Sequence, residues 1–314
     1  MQLIGSSKAI RRVRDEVKKL ARSRKNVVII GEVGVGKGLV AEAIHHAGKD
    51  ADKPYVRVSL ASIDPARLRK IIEGVIEHGK FYNPIAPEHG DFTLVDGSSL
   101  IFEDVGTAGF AAQKAVCDLL ESSFERKRGL RIMLLFREAI REGAKSGKIM
   151  KCLLDNTKDW ETIVVPPLRE RPDDIPDLVE HFVKETGKEL GTEGMVIDAN
   201  AIGVLVRQEW NENVQQLKRT IERSILLSAD KEVFRLPADL VSEQAELARI
   251  LDRINEGIDF ALDSSMEIIE KGILQRTLER FGFNQSRAAR FLKITEDTLR
   301  YRMKRLGIPT SRKQ

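Results

Sequence analysis

Cysteine is scarce: Cys117 and Cys152 are the only two in 314 residues. They are too few for a disulfide framework, and both sit among apolar neighbours. They therefore read as buried core thiols of a protein from a reducing compartment. Long apolar runs are missing as well. No stretch approaches the roughly 18 consecutive apolar residues of a membrane span. The start MQLIGSSKAIRRVRDEV has no apolar run followed by a small-residue cleavage site, which points to a cytoplasmic protein with no membrane partner. Repeats and low-complexity tracts are lacking, and so is a strong excess of charge. The formal net charge of +4 does not by itself separate a nucleic-acid binder from a soluble enzyme.

The charge that is present is unevenly spread. From Ser264 to Gln314, twelve Lys and Arg residues oppose five acids, a balance of +7 that leaves −3 for everything before it. A basic end on a neutral or slightly acidic body suits DNA binding, with a solvated basic surface as the plainer alternative. With 42% hydrophobic residues, the chain can build one large core plus a satellite domain.

Between residue 7 and about residue 164, helical and strand-like segments alternate. An amphipathic helix over Ser7–Arg24 leads into Val27-Val28-Ile29-Ile30, a buried strand ended by Gly31. Helices are predicted over Lys37–Ala47, Pro65–Glu77 and Phe110–Ser122, and strands over Tyr55–Leu60, Leu100–Phe102 and Ile132–Phe136. This α/β pattern implies a mainly parallel sheet. Pro166-Pro167 ends the last strand. Helices over Asp173–Lys188, Ala199–Glu209 and Asn213–Ser228 then make an all-helical subdomain, the first with an acidic opening turn. The boundaries are 1–165 for the α/β part, 166–245 for the helical part, 246–263 for a linker and 264–314 for a terminal all-α domain.

Residues 31 to 38 read Gly31-Glu32-Val33-Gly34-Val35-Gly36-Lys37-Gly38, directly after a strand and before a helix. In that context, backbone N–H groups converge on phosphate oxygens and the helix N-terminus adds partial positive charge. The Lys37 ammonium then faces the β/γ region. Gly31, Glu32, Gly34, Val35, Gly36, Lys37 and Gly38 are the expected contacts for ATP or ADP; a purely structural glycine turn is the alternative. Where a Ser or Thr hydroxyl would meet Mg2+, the chain has Gly38. Glu103-Asp104 closes a later apolar strand, and Glu103 is both a nucleotide-site residue and the candidate ligand of an accompanying Mg2+. A strand-end carboxylate facing solvent is the competing reading.

GEVGVGKGLVAEAIH at 31–45, PPLRERPDDIPDLVEHF at 166–182 and WNENVQQLKRTIERSILL at 210–227 occur together. With them, the chain resembles the AAA+ enhancer-binding activators of the alternative, nitrogen-type sigma factor, from Ile4-Gly5-Ser6 to the terminal helices. The resemblance implies an AAA+ domain with a parallel sheet and a helical lid, followed by a helix-turn-helix domain. It also implies rings in which arginines of one subunit reach the next subunit's nucleotide, and because the resemblance begins by Ile4, the receiver or sensory domain often attached ahead of such a module is not expected. Several positions depart from the family. The sigma-contacting GAFTGA loop is replaced by Gly79-Lys80-Phe81-Tyr82-Asn83-Pro84-Ile85. The family's Asp-Glu pair corresponds to Glu103-Asp104 and its sensor asparagine to Arg137. The intersubunit arginines correspond to Lys151 and Thr157, and the lid arginine to Gln215. A lysine replaces a planar guanidinium only in part, and loss of a trans arginine removes orders of magnitude of rate in related hydrolases.

The last segment predicts a helix over Ser265–Phe281 ended by Gly282 and a second opened by Asn284, with Ala288, Ala289 and Leu292 on one face. A third follows over Glu296–Leu306, capped by Thr295. Leu299, Met303 and Leu306 supply the inward side of the third, while Thr298, Arg300, Tyr301, Arg302, Lys304 and Arg305 are the expected DNA contacts. This end resembles a Fis-type helix-turn-helix, which implies dimerisation through the first helix and a palindromic site. A packed bundle with no DNA role is the alternative.

The combined expectation is a sequence-specific regulator of double-stranded DNA, a dimer or higher oligomer, with RNA polymerase as a further partner. It represses, or regulates without activating the alternative sigma factor, and it holds ATP or ADP without efficient hydrolysis. An active AAA+ ATPase that remodels polymerase, and a nucleotide-independent oligomerisation scaffold, are the two competing readings.

Overall fold

A computed structural model describes residues 3–81, 92–122, 129–192, 194–197, 199–227, 233–234, 236, 270–275, 277–278 and 280–308. The stretch Tyr82 to Ile85, the linker at 246–263 and the start of the helix expected from Ser265 lie outside the described residues. The chain forms two compact units, one of Met1–Ile197 with Leu205–Val233, the other of Asp198–Val204 with Phe234–Gln314.

In the first unit the elements run α1 (Lys8–Ala21), β1 (Val27–Ile30), α2 (Lys37–His46), β2 (Tyr55–Ser59), α3 (Pro65–His78), β3 (Lys80–Phe81) and β4 (Phe92–Thr93). They continue with β5 (Ser99–Glu103), α4 (Phe110–Glu121), β6 (Arg131–Phe136), α5 (Ile140–Lys145), α6 (Lys151–Thr157) and β7 (Glu161–Val164). Five strands form a parallel sheet in the order β2-β5-β6-β1-β7. Successive side chains of a strand point to opposite faces. Val28, Leu100, Phe102, Ile132 and Leu134 therefore build one core with α3 and α4, whereas Val27, Ile29, Ile101, Met133 and Leu135 build another with α1 and α2. Helices cover both faces, which is why β1 and β6 are near-continuous apolar runs rather than alternating ones.

The free-thiol expectation is corrected here. Cys117 of α4 and Cys152 of α6 form a disulfide, with their Cα atoms 6.1 Å apart. The sequence reading missed α5 and α6, helices of six and seven residues and too short to carry a clear helical period. They fold the chain back so that α6 packs on α4 and brings Cys152 to Cys117. Closing a loop of this length stabilises by about 4 kcal/mol in the chain-entropy account.

Beyond β7 two short 3-10 turns, Leu168–Glu170 and Pro172–Asp174, lead into α7 (Ile175–Leu190); α8 (Ala199–Val206) and α9 (Asn213–Leu227) follow. α9 packs along α7, with Leu178, Val179 and Phe182 buried on one and Leu217, Ile221 and Ile225 on the other. In the second unit, helical residues 270–275 precede α10 (Gln285–Phe291) and α11 (Glu296–Arg305). Asn284 accepts from the Arg287 N–H to cap α10, and Thr295 accepts from the Thr298 N–H to cap α11. Leu274, Leu278, Ala288, Ala289, Leu299 and Met303 form the small core between them. No helix among the described residues is long and apolar enough to cross a membrane.

Candidate functional site

β1 delivers the loop at residues 31–36 to the end of the sheet, and α2 starts immediately after it. Two of its glycines adopt a left-handed backbone, Gly34 at φ 74° and Gly36 at φ 100°. Gly36 is the residue ahead of α2, and a Cβ there would meet nothing within 4 Å. The space in front of the helix N-terminus is therefore open, as a phosphate requires. Lys37 Nζ bridges the loop by donating to the carbonyls of Gly31 and Glu32, both at 2.8 Å. Burial draws the Lys37 pKa below the ordinary lysine value, with Asp104 opposing that fall and Arg137 adding to it.

The helical part closes against this loop. Glu32 accepts from Arg169 Nη1 at 2.8 Å, a bond that holds it below the usual carboxylate range. Asn213, fully buried and at φ 52°, donates to Glu32 Oε2 and to the Val33 carbonyl, while its own carbonyl accepts from the Leu168 N–H. The Gln215 N–H donates to the Gly34 carbonyl at 3.2 Å, so backbone rather than side chain is what this position brings to the loop. Beside Gly36 lies a cavity of about 440 Å³ walled by Ile4, Val35, Leu39, Val40, Leu178 and Phe182. Arg171, His181, Glu185 and Lys218 complete a wall that is otherwise apolar, and a mainly apolar cavity beside the phosphate loop has room for a nucleotide base, so the residues present suit ATP or ADP.

The acid pair is engaged differently. Glu103, at the end of β5, accepts from Arg57 Nη2 at 3.0 and 3.2 Å, through both carboxylate oxygens. Arg57, on β2, also donates through Nη1 to the buried Glu42 of α2. Partial burial works against its charge, but the bond to Glu42 and the field of Glu103 hold its pKa above the ordinary arginine value. Asp104 accepts from Arg137 Nη2 at 2.9 Å and Nε at 3.2 Å. The expectation that Glu103 would hold Mg2+ meets a carboxylate already taken up by a guanidinium. A Cβ on Gly38 would lie 2.6 Å from Glu103 Oε1 and 2.9 Å from Arg57 Nη2, so the ion pair fills the space a hydroxyl-bearing side chain would use. This donor set does not fit Mg2+, which needs several oxygen ligands in near-octahedral array. Thr157 is buried and its hydroxyl donates to the Leu153 carbonyl, while Lys151 opens α6 exposed.

In the second unit Leu299 and Met303 face the core, and Arg300, Tyr301, Lys304 and Arg305 are exposed. Arg302 Nη1 donates to Glu270 at 2.8 Å, and Arg305 pairs with the same carboxylate. Arg300 reaches Gln285 and Glu296. Among the described residues Lys304 forms no ion pair. The six expected contacts thus lie on one helix, two of its arginines held by one glutamate.

Sequence reasoning missed Arg57, Glu42 and Asn213. Arg57 stands at a strand position with no motif around it. Asn213 lies inside the quoted WNENV run but without any sign of its three bonds.

A five-stranded parallel sheet carrying a phosphate loop, a helical lid over that loop and a terminal helix-turn-helix define an AAA+ module joined to a helix-turn-helix domain. Three families match along the chain: "Sigma-54 interaction domain" over residues 3–131, "AAA+ ATPase lid domain" over 169–250 and "Bacterial regulatory protein, Fis family" over 265–306. The chain is 31% identical to the Nif-specific regulatory protein of Azotobacter vinelandii over 98% of its own length and 59% of that protein. It is 30% identical to the response regulator PilR of Pseudomonas aeruginosa over 98% of its length and 70% of PilR. It is 28% identical to XylR of Pseudomonas putida, covering 56% of it, so it spans little more than half of some relatives. Crystal structures of NtrX from Brucella abortus with ATP and with ADP match 98% of the chain and 69% of NtrX, at TM-scores of 0.64 and 0.63 and identities of 26% and 27%. The chain belongs to the family of bacterial transcription regulators built on a sigma-54 interaction domain.

Proposed function

We propose that the chain is a DNA-binding regulator whose AAA+ domain holds ATP or ADP without turning it over efficiently. It acts in the cytoplasm as a dimer or higher oligomer, by repression or through a route other than activation of the sigma-54 polymerase. One observation carries this reading: both acids of the pair that would position ion and water are tied to guanidinium groups, Glu103 to Arg57 and Asp104 to Arg137. Hydrolysis needs a positioned water and charge neutralisation developed in the transition state. A carboxylate held by an arginine is poorly placed to accept a proton from water, and Thr157 offers no charge to a neighbouring subunit. Binding, in contrast, draws on loop amides, Lys37 and the apolar cavity.

The test is calorimetric ATP and ADP binding and phosphate release on one preparation, with Lys37→Ala as control. Binding lost in the variant, with negligible release by both proteins, is the expected result. The match of residues 3–131 to a sigma-54 interaction domain favours a second reading, an active ATPase that remodels polymerase. Robust phosphate release that depends on Lys37 would select it.

Duplex DNA should be bound by the intact chain at low salt and released steeply as salt rises, because phosphate contacts displace counterions. Arg302→Ala or Arg305→Ala should weaken binding by about 1–3 kcal/mol through loss of a bidentate base contact. Gel shifts with no retarded band at low salt would sink the DNA-reading role.

A further inference from the structure

The acid-pair arrangement bears on which cation accompanies the nucleotide, a question that rests on the nucleotide-binding reading above. We infer that the Arg57 guanidinium takes the place of the divalent cation, so that ATP or ADP binds with no requirement for Mg2+. Three observations converge on this. Arg57 lies against residue 38, where its Cζ and Nη2 would be 3.0 and 2.9 Å from a Cβ; this is the loop position that would supply a metal-binding hydroxyl. Its Nη2 spans both oxygens of Glu103, the sole candidate metal ligand on β5. Its other terminal nitrogen bonds Glu42, a buried residue whose second carboxylate oxygen has no hydrogen-bond partner among the described residues.

Glu42 makes Arg57 a fixed occupant. Moving the guanidinium away would leave a buried carboxylate with no partner, which is strongly unfavourable. A divalent ion arriving at Glu103 would have to displace that guanidinium or sit beside its positive charge, with no hydroxyl at residue 38 to complete its coordination. The guanidinium carries five N–H donors in a planar fork. After its bonds to Glu42 and Glu103, donor capacity remains at Nε and Nη1 for an anionic oxygen. It offers an anionic oxygen these N–H donors as part of the fold, while Lys37 supplies the charge, because Glu42 and Glu103 together outweigh the single charge of Arg57.

The experiment measures ATP and ADP affinity by calorimetry, in excess EDTA and in excess Mg2+, for the intact chain and for two variants. The variants are Arg57→Ala and the double substitution Arg57→Ala with Glu42→Gln, which avoids stranding a buried charge. For the unaltered chain, affinities in EDTA and in Mg2+ should agree within about twofold. The double variant should bind about tenfold or more weakly in EDTA, a loss of ~1.4 kcal/mol. Binding by the unaltered chain only when Mg2+ is present overturns this inference and leaves the nucleotide reading standing. Unchanged EDTA affinity in the double variant also overturns it. No binding in either condition overturns the nucleotide reading itself and this inference with it.

Discussion

Replacing Asp174 by alanine should destabilise the protein by about 3–5 kcal/mol, the usual cost of breaking a buried charge pair from one side. Asp174 has no solvent exposure, and Arg171, three residues earlier, is 3% exposed with its Nη1 3.7 Å from Asp174 Oδ2. The carboxylate also accepts from the Ser7 N–H at 2.7 Å and the Ser7 hydroxyl at 2.9 Å. Ser7 in turn caps α1, and Gly5 packs so closely that a Cβ there would lie 2.4 Å from the carboxylate. One side chain thus ties the start of the chain to the start of the lid, while Arg171 Nη2 donates to the Val35 carbonyl in the phosphate loop. In the variant, Arg171 would be a buried guanidinium with no counter-charge, and α1 would lose the brace on its cap. Asp174→Ala combined with Arg171→Leu should recover part of the loss, since the two act as a unit. Urea unfolding of both variants measures this, and a loss below about 1 kcal/mol for Asp174→Ala would show that the cluster is not the brace described here.

The second large effect is expected in transcription. With sigma-54 holoenzyme, its promoter and ATP, this protein should give no transcript above the level without activator. β3 and β4 pair antiparallel, which fixes the two ends of the insertion that in the family bears the sigma-contacting tip. The residues between them include Tyr82, Pro84, Ile85 and Pro87 in place of a small-residue tip. Each proline locks its φ near −65° and removes a backbone donor. The sequence Gly79-Lys80-Phe81-Tyr82-Asn83-Pro84-Ile85 does not carry the Phe-Thr pair of the GAFTGA loop. Transcript above background in a reconstituted reaction, at concentrations that saturate the template, would overturn the claim.

How far the sequence could be read depended on the range over which each feature acts. β1, β6, α2 and the caps at Asn284 and Thr295 are local patterns, and the structure has them within a residue or two of the expected bounds. The β3–β4 pair has two residues per strand and no period to detect. Asp174 was legible only as part of an acidic first turn, a favourable partner for a helix dipole. Arg171, its charge partner, is only three residues away, but Ser7, from which Asp174 accepts, lies 167 residues away, beyond any local pattern. Cys117 and Cys152 misled for the same reason, since their pairing depends on two short helices. At the candidate site, the loop and the Glu103-Asp104 pair could be located from sequence. That Arg57 and Arg137 would hold those acids could not, because neither arginine lies near its acid along the chain.

The proposal that the Arg137–Asp104 pair leaves ATP bound and unhydrolysed bears on what kind of regulator this would be. A protein that hydrolyses ATP is driven in one direction and can hold a promoter state away from equilibrium. One that only binds the nucleotide stays at equilibrium and obeys detailed balance. Whatever factor ATP contributes to its affinity for DNA, DNA must contribute in equal measure to its affinity for ATP. A nucleotide that binds the two forms of the protein with equal affinity moves no population by filling the site. Regulation by such a molecule is a reversible reading of concentrations, and an operator-bearing DNA would act on the nucleotide pocket as an effector in its own right.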